Sequence, residues 1–323
     1  MDKFNFILPT ALEWHLSGVG GVIATVIRTW GSAPRPVGSQ LAVSGEGNII
    51  GSVSGGCVEG AVIIEALNTL KTGKNIILEY GVSNEDAFAV GLACGGNIQI
   101  LVEPIGFGLS ESILTELVHR CQLSEAVAYS IDIKSGVNKL ISLDVSNLKK
   151  DGINDSGFYG EEFLVIYKTP LRMAVIGGVH IAQPLVSIAR MSGFSVLVID
   201  PRSTFLNTMR FPETELSNLW PDEALKTFKP DNRTAIITLS HDTKIDDLAI
   251  IEALTSNCFY IGCLGSKKTH SKRLDRLSKI VNSDACLSRI HGPIGLKINS
   301  QTPTEIAISI MAEVIQSLRV NSI

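Results

Sequence analysis

The chain has 323 residues, of which 45% are hydrophobic and 19% charged, and carries a net charge of −4 at neutral pH. That is ample apolar material for a core in two domains. The acidic balance, with no long Lys/Arg run, excludes a general electrostatic attraction to nucleic acid, and no uninterrupted apolar stretch reaches the roughly 18 residues of a membrane-spanning helix.

The opening MDKFNFILPTALEWHLSG lacks the basic start of a secretory signal, is interrupted by Pro9 and Glu13, and reads in part as a short helix. The six cysteines, at positions 57, 94, 121, 258, 263 and 286, show neither CxxC nor metal-finger spacing, so free thiols in the cytoplasm are expected. VIATVIRT then alternates as a strand and runs into the turn-rich GSAPRP. LAVS and IIGSVS flank GEGN as a hairpin, CVEGAVIIEALNTLKTG reads as an amphipathic helix stopped by Gly73, and NIILEYGV and NIQILVEPI read as strands on either side of the acidic SNEDAF loop. Mixed order of this kind predicts a small N-terminal α+β domain over residues 1–105. A β-rich connector over 106–170 follows, with one helix in SESILTELVHRC, strands in AVAYSIDI, KLISLDV and EEFLVIY, and a loop in NLKKDGINDSGFYG.

From Leu171 the pattern becomes strand–helix alternation: RMAVIGG, HIAQPLVSIARMSG, FSVLVID, TAIITLS, DDLAIIEALTSN and FYIGCLGS. Residues 171–323 are therefore expected to form a Rossmann-like doubly wound parallel sheet, making the whole chain α/β. A final helix in TPTEIAISIMAEVIQSL takes Thr302 as its cap.

The chemistry concentrates in GSAPRPVGSQLAVSGEGNIIGSVSGGCVEG, residues 31–60, and in GLACGGN, residues 91–97. Cys57 and Cys94 each sit beside a Gly pair, where backbone without Cβ allows N–H groups and a thiol to approach a ligand. The helical reading puts Cys57 in a first turn, where unpaired N–H groups and the helix dipole favour an anion. The alternative is that each cysteine is a small buried hydrophobe beside an ordinary turn.

These two stretches resemble the N-terminal region of the xanthine dehydrogenase accessory factor family (XdhC/CoxI type). VIGGVHIAQPLVSIARMSGFSVLVIDPR, YIGCLGSKKTHSKRL and RIHGPIGLKINSQTPTEIAISIMAEV resemble that family's C-terminal Rossmann region, so the similarity spans most of the chain. The resemblance implies a non-enzymatic maturation factor that binds molybdenum cofactor (molybdopterin), helps it acquire its terminal sulfur, and delivers it to a xanthine dehydrogenase-type molybdenum enzyme. It also implies a sulfur donor of the cysteine desulfurase type; a homodimer is expected, with no nucleic-acid or membrane partner. In that setting Ser54, Gly55, Gly56, Cys57, Glu59, Cys94, Gly95 and Gly96 are candidates for the cofactor, and Cys57 and Cys94 for its metal, thiolates being suited to sulfur-rich metal chemistry. Arg35, stiffened between two prolines, either holds its guanidinium toward a phosphate or pterin or stands as a solvated arginine.

In the parallel sheet, functional positions lie beyond the carboxyl ends of the strands. They are Gly177, Gly178, His180, Asp200, His241, Asp242, Gly265 and Ser266, with Lys267 and Lys268 close behind. Asp200 follows Gly177 at about the 20-residue offset of a ribose-binding acid, while His180, His241 and the lysines read equally well as capping, packing or solvated residues. An NAD(P)-dependent oxidoreductase built on the Gly177 turn is the competing reading, and a scaffold between a sulfurtransferase and a dehydrogenase a third. Against the oxidoreductase, Val179 stands where the family's turn has a glycine. NAD and NADP are accordingly expected to bind weakly, and Val179→Gly to improve their binding.

Overall fold

The computed structural model describes residues 6–31, 35–81, 96–143, 155–281 and 283–320. The chain divides into two compact units, Lys3–Thr169 and Pro170–Ile323.

In the first unit the central strand β1 (Gly21–Trp30) is buried on both faces over most of its length. It pairs antiparallel with β2 (Gln40–Ser44) and β5 (Asn97–Pro104), and β3 (Ile49–Gly51) and β4 (Ile76–Tyr80) complete a five-stranded sheet in the order β3-β2-β1-β5-β4. Because strand side chains alternate in direction, Val22, Ala24 and Val26 meet Val62 and Ala66 of helix α2 (Glu59–Thr72) in one core. Ile23 and Ile27 face the opposite way, into a second core built from α1 (Ile7–Leu16), α3 (Glu111–Gln122) and a four-stranded antiparallel sheet. That sheet has the order β7-β6-β9-β8, from β6 (Val127–Asp132), β7 (Asn138–Ser142), β8 (Gly157–Tyr159) and β9 (Glu162–Tyr167). The described residues of this stretch, 106–143 and 155–169, are thus packed into the first unit through Leu114, Leu117, Val127, Tyr129, Ile131 and Phe163.

Gly73 ends α2 in the left-handed conformation (φ 68°), as glycine at that position allows.

The second unit is a six-stranded parallel sheet in the order β12-β11-β10-β13-β14-β15. Its strands are β10 (Leu171–Ile176), β11 (Phe194–Ile199), β12 (Glu215–Ser217), β13 (Thr234–Thr238), β14 (Tyr260–Cys263) and β15 (Ile290–His291). Helices α4 (Ala182–Met191), α5 (Pro221–Phe228), α6 (Thr243–Thr255), α7 (Lys267–Leu277), α8 (Asp284–Leu287) and α9 (Pro303–Val320) follow in sequence. Met173 and Val175 face α4 and α9, whereas Ala174 and Ile176 face α5 and α6, so the sheet is covered on both sides in the doubly wound manner. Strand order reverses between β10 and β13, which makes the ends of those strands the switch point of the fold. Thr302 caps α9: its hydroxyl accepts from the Glu305 N–H at 3.3 Å, and the Glu305 carboxylate accepts from the Thr302 N–H at 3.2 Å, a reciprocal capping box.

Candidate functional site

Helix α2 starts at Glu59, with Val58 as its N-cap, so Cys57 lies ahead of the helix and outside its first turn. This corrects the sequence reading, and the cause is local. Gly55 and Gly56 adopt φ values of 77° and 118°, which an α-helix cannot accommodate, and the Glu59 side chain folds back over them. Its carboxylate accepts from the N–H groups of Val53 (3.2 Å), Ser54 (2.9 Å), Gly55 (3.1 Å) and Gly56 (2.9 Å), and from the Ser52 hydroxyl at 2.8 Å. The Ser54 hydroxyl donates to the same carboxylate and itself accepts from the Val58 N–H at 2.9 Å.

Successive backbone N–H groups converging on one point form an anion nest, and here the anion is the protein's own. Burial by itself raises the Glu59 pKa, but hydrogen bonds from Ser54 and Ser52 more than offset it and hold the group down at about 2. The amides of Ser54, Gly55 and Gly56 therefore serve Glu59. What the loop turns outward is glycine surface and a thiol: Gly55 and Gly56 are exposed, Cys57 is half-buried against the α2-side core, and a Cβ added at Gly56 would meet nothing within 4 Å. Gly96 is buried just before β5, Arg35 is half-buried ahead of β2, and Cys94 and Gly95 fall outside the described residues.

In the second unit the structure gathers Gly177, Gly178 and Asp200 into one turn. Gly177 has φ 101°, and a Cβ there would come within 2.7 Å of the Ser240 nitrogen. Gly178 donates its N–H to Asp200 Oδ2 at 2.9 Å, and a Cβ on it would lie 2.8 Å from the Phe205 carbonyl oxygen. Asp200 is fully buried and also binds Arg202, with Oδ1 accepting from the backbone N–H (3.0 Å) and Nε (2.8 Å) and Oδ2 from Nη2 (2.8 Å). Burial would raise the carboxyl's pKa, but the Arg202 contacts and the Gly178 amide lower it. Four donors occupy the acceptor capacity of one carboxylate, so the expected ribose contact is replaced by an internal ion pair.

The remaining candidates at this edge have structural partners or none that point to a ligand. Val179 packs against the α4–α9 core, so a Val179→Gly change would open a gap there before it helped a nucleotide, contrary to the sequence expectation. His180 and His241 are exposed, the latter at φ 62°. Asp242 caps α6 by accepting from the Lys244 N–H at 2.9 Å, and Ser266 caps α7 by accepting from the Thr269 N–H at 3.1 Å. Lys267 and Lys268 are exposed in the first turn of α7.

Two family models match this chain: one described as the XdhC and CoxI family, over residues 14–81, and one described as the XdhC Rossmann domain, over residues 173–314. The chain belongs to the XdhC and CoxI family. A relative from Escherichia coli (strain K12) named molybdenum cofactor insertion chaperone PaoD is 28% identical over 97% of this chain and 88% of its own length. A Bacillus subtilis (strain 168) protein, named as a probable xanthine dehydrogenase subunit, is 27% identical over 98% of both chains. The crystal structure of a protein described as a xanthine dehydrogenase from Bacillus halodurans superposes with a TM-score of 0.79 at 24% identity, covering 99% of this chain and 96% of that one, and shares the fold.

Within the family match, residues 14–81 contain the whole Ser52–Glu59 loop, and residues 173–314 contain every candidate of the parallel sheet. Among the described residues no group of three or more His, Cys, Asp or Glu side chains is arranged to hold a metal ion, and no helix is long and apolar enough to cross a membrane. Sequence reasoning missed Arg202 and Arg273. Arg202 stands two residues after Asp200, and Arg273 lies four before Leu277 on the buried face of α7, where an arginine in the apolar stripe is itself a signal.

Proposed function

We propose that the protein is a cytoplasmic accessory factor that binds molybdenum cofactor and supports its sulfuration and insertion into a xanthine dehydrogenase-type molybdenum hydroxylase. The observation that carries this reading is the Ser52–Glu59 loop, which Glu59 fixes from inside so that a free Cys57 thiol stands beside exposed glycine backbone. These residues suit the cofactor in two respects. A thiolate is a good ligand for a soft, sulfur-rich centre, and the open space over Gly56 admits a flat group that any side chain would obstruct. When bound, the cofactor supplies a thiophilic metal centre.

Glu59 sets the loop's shape and Cys57 is the reactive atom. A persulfide on a donor of the cysteine desulfurase type would pass its outer sulfur to the Cys57 thiolate: the donor's S–S bond breaks, a new one forms at Cys57, and the donor cysteine leaves as thiolate. Cys94 is proposed as a second thiol for the same cofactor, and the protein is proposed to act as a homodimer. The oxidoreductase reading is weakened by the Gly177–Gly178 turn, whose amide, acid and free space are all taken by Asp200, Arg202 and Phe205.

The test is metal and pterin analysis of protein co-expressed with cofactor biosynthesis, with molybdenum near one per chain expected for the unmodified protein and a clear loss for Cys57→Ala. Equal retention by both would remove the thiol from the proposal, and no pterin in either would favour the scaffold.

A further inference from the structure

We propose that the second unit carries an anion site, for the phosphate group of a small ligand, at the loop joining β14 to α7, with Arg273 as the buried cation beneath it. Arg273 is only 4% exposed. Its Nη2 donates to the Leu264 carbonyl at 2.9 Å, while Nε and Nη1 are buried with no hydrogen-bond partner among the described residues. Those two nitrogens carry three of the five guanidinium donors. A buried charged donor left unsatisfied costs more than a neutral one, so the arrangement calls for an acceptor that the described residues do not provide.

Asp246 does not fill that place. It is 3% exposed and reaches Arg273 only through its field; its Oδ1 accepts from the Ser240 hydroxyl at 2.7 Å and the Ser240 amide at 3.3 Å. His270, one turn before Arg273, is kept toward its neutral form by burial and by the neighbouring guanidinium, so it adds no competing charge.

Geometry places this cation at a suitable edge. Strands β13 and β14 are paired at Thr238 and Cys263, and the Leu264 N–H donates to the Thr238 carbonyl at 2.9 Å. Ser240 and Gly265 therefore leave the sheet side by side at its carboxyl end, where ligands of open α/β sheets bind. Gly265 (φ 142°) turns the chain into α7, whose first-turn amides, apart from the Thr269 N–H held by the Ser266 hydroxyl, point back along the axis at the loop over Arg273. The glycine turn after β10, the usual phosphate position, already has its amide on Asp200. The anion-binding role thus falls to the β14–α7 loop.

The site can be tested without molybdenum cofactor, so its failure would leave the proposed function untouched. Full-length protein from a host unable to make the cofactor is titrated calorimetrically with sodium phosphate, and separately with AMP, at constant ionic strength. Saturable binding is expected, weakened about tenfold or more in Arg273→Gln and partly restored in Arg273→Lys, with Lys267→Ala and Lys268→Ala changing it far less. AMP binding about tenfold tighter than phosphate would identify a nucleotide as the ligand, and equal binding would identify the phosphate group alone; both support the site. Absence of saturable binding in the unmodified protein, or unchanged affinity in a folded Arg273→Gln, overturns it. Should Arg273→Gln not fold, hydrogen exchange of the unmodified protein decides: slowed exchange over residues 264–273 on adding phosphate supports the site, and no change there overturns it.

Discussion

The Gly178 N–H donates to Asp200 at 2.9 Å, and Asp200 in turn grips Arg202 through both carboxylate oxygens. In a dinucleotide-binding turn the amide would face a pyrophosphate and the acid a ribose; here each satisfies the other. NAD and NADP are therefore expected to bind weakly, and Val179→Gly is expected to lower stability by about 1–2 kcal/mol through lost packing and added backbone freedom without strengthening nucleotide binding. Calorimetry with NAD on both proteins, alongside thermal unfolding, checks this; micromolar affinity in either would revive the oxidoreductase.

Glu59 supplies a pH signature. Its carboxyl is held at about 2 in the folded protein against an ordinary 4.5. A depressed folded value means that the stabilisation is complete above the ordinary value and is lost as pH falls from about 4.5 toward about 2. Glu59→Gln removes the anion and turns an amide donor toward backbone N–H groups, which should cost about 2–3 kcal/mol at pH 7. Guanidinium unfolding of both proteins should show that difference shrinking below pH 4; a constant difference would mean that charge is not what holds the loop.

The parallel sheet was legible because RMAVIGG, FSVLVID and TAIITLS are apolar runs separated by helical patterns, and strands buried on both faces look like that in any sequence. The start of α2 was not. Only the back-folded Glu59 shows that Gly55 and Gly56 leave the helical region, and four of the six hydrogen bonds it accepts come from residues five or more positions away. Helix periodicity extended the pattern through Cys57 because it is blind to such contacts. Arg273 was hidden for a related reason: Lys272 and Arg276 beside it suggest a solvated basic face, which masks the signal that Arg273 shares the buried stripe of α7 with Leu277.

Glu103 should make the first unit more stable at mildly acid than at alkaline pH. It is 1% exposed, and burial pushes its pKa up to about 7, although the Tyr129 hydroxyl, donating at 2.6 Å, pulls the other way. Folding thus favours the protonated acid, and this contribution is present below the ordinary value of 4.5 and lost as pH rises through about 7. Glu103→Gln keeps an acceptor for Tyr129 and cannot ionise. It is expected to match the unmodified protein near pH 4 and to exceed it by up to about 3 kcal/mol at pH 8, read from chemical unfolding at the two values.

Cys57 should be the thiol that reagents find ahead of the buried ones. Cys258 and Cys263 are 4% and 0% exposed, and burial pushes the Cys121 and Cys263 thiols up to about 11, so at pH 7.5 they offer little thiolate. Cys57 stands half-buried at the mouth of an open glycine loop. Brief alkylation followed by peptide mass spectrometry should modify Cys57 at least tenfold faster than Cys121, Cys258 or Cys263. The same order should appear in function: Cys57→Ala is expected to impair activation of the partner molybdenum enzyme more than Cys121→Ala or Cys286→Ala. A Cys57 that reacts fast yet can be replaced without loss would be accessible but idle, and sulfur handling would then have to rest on Cys94.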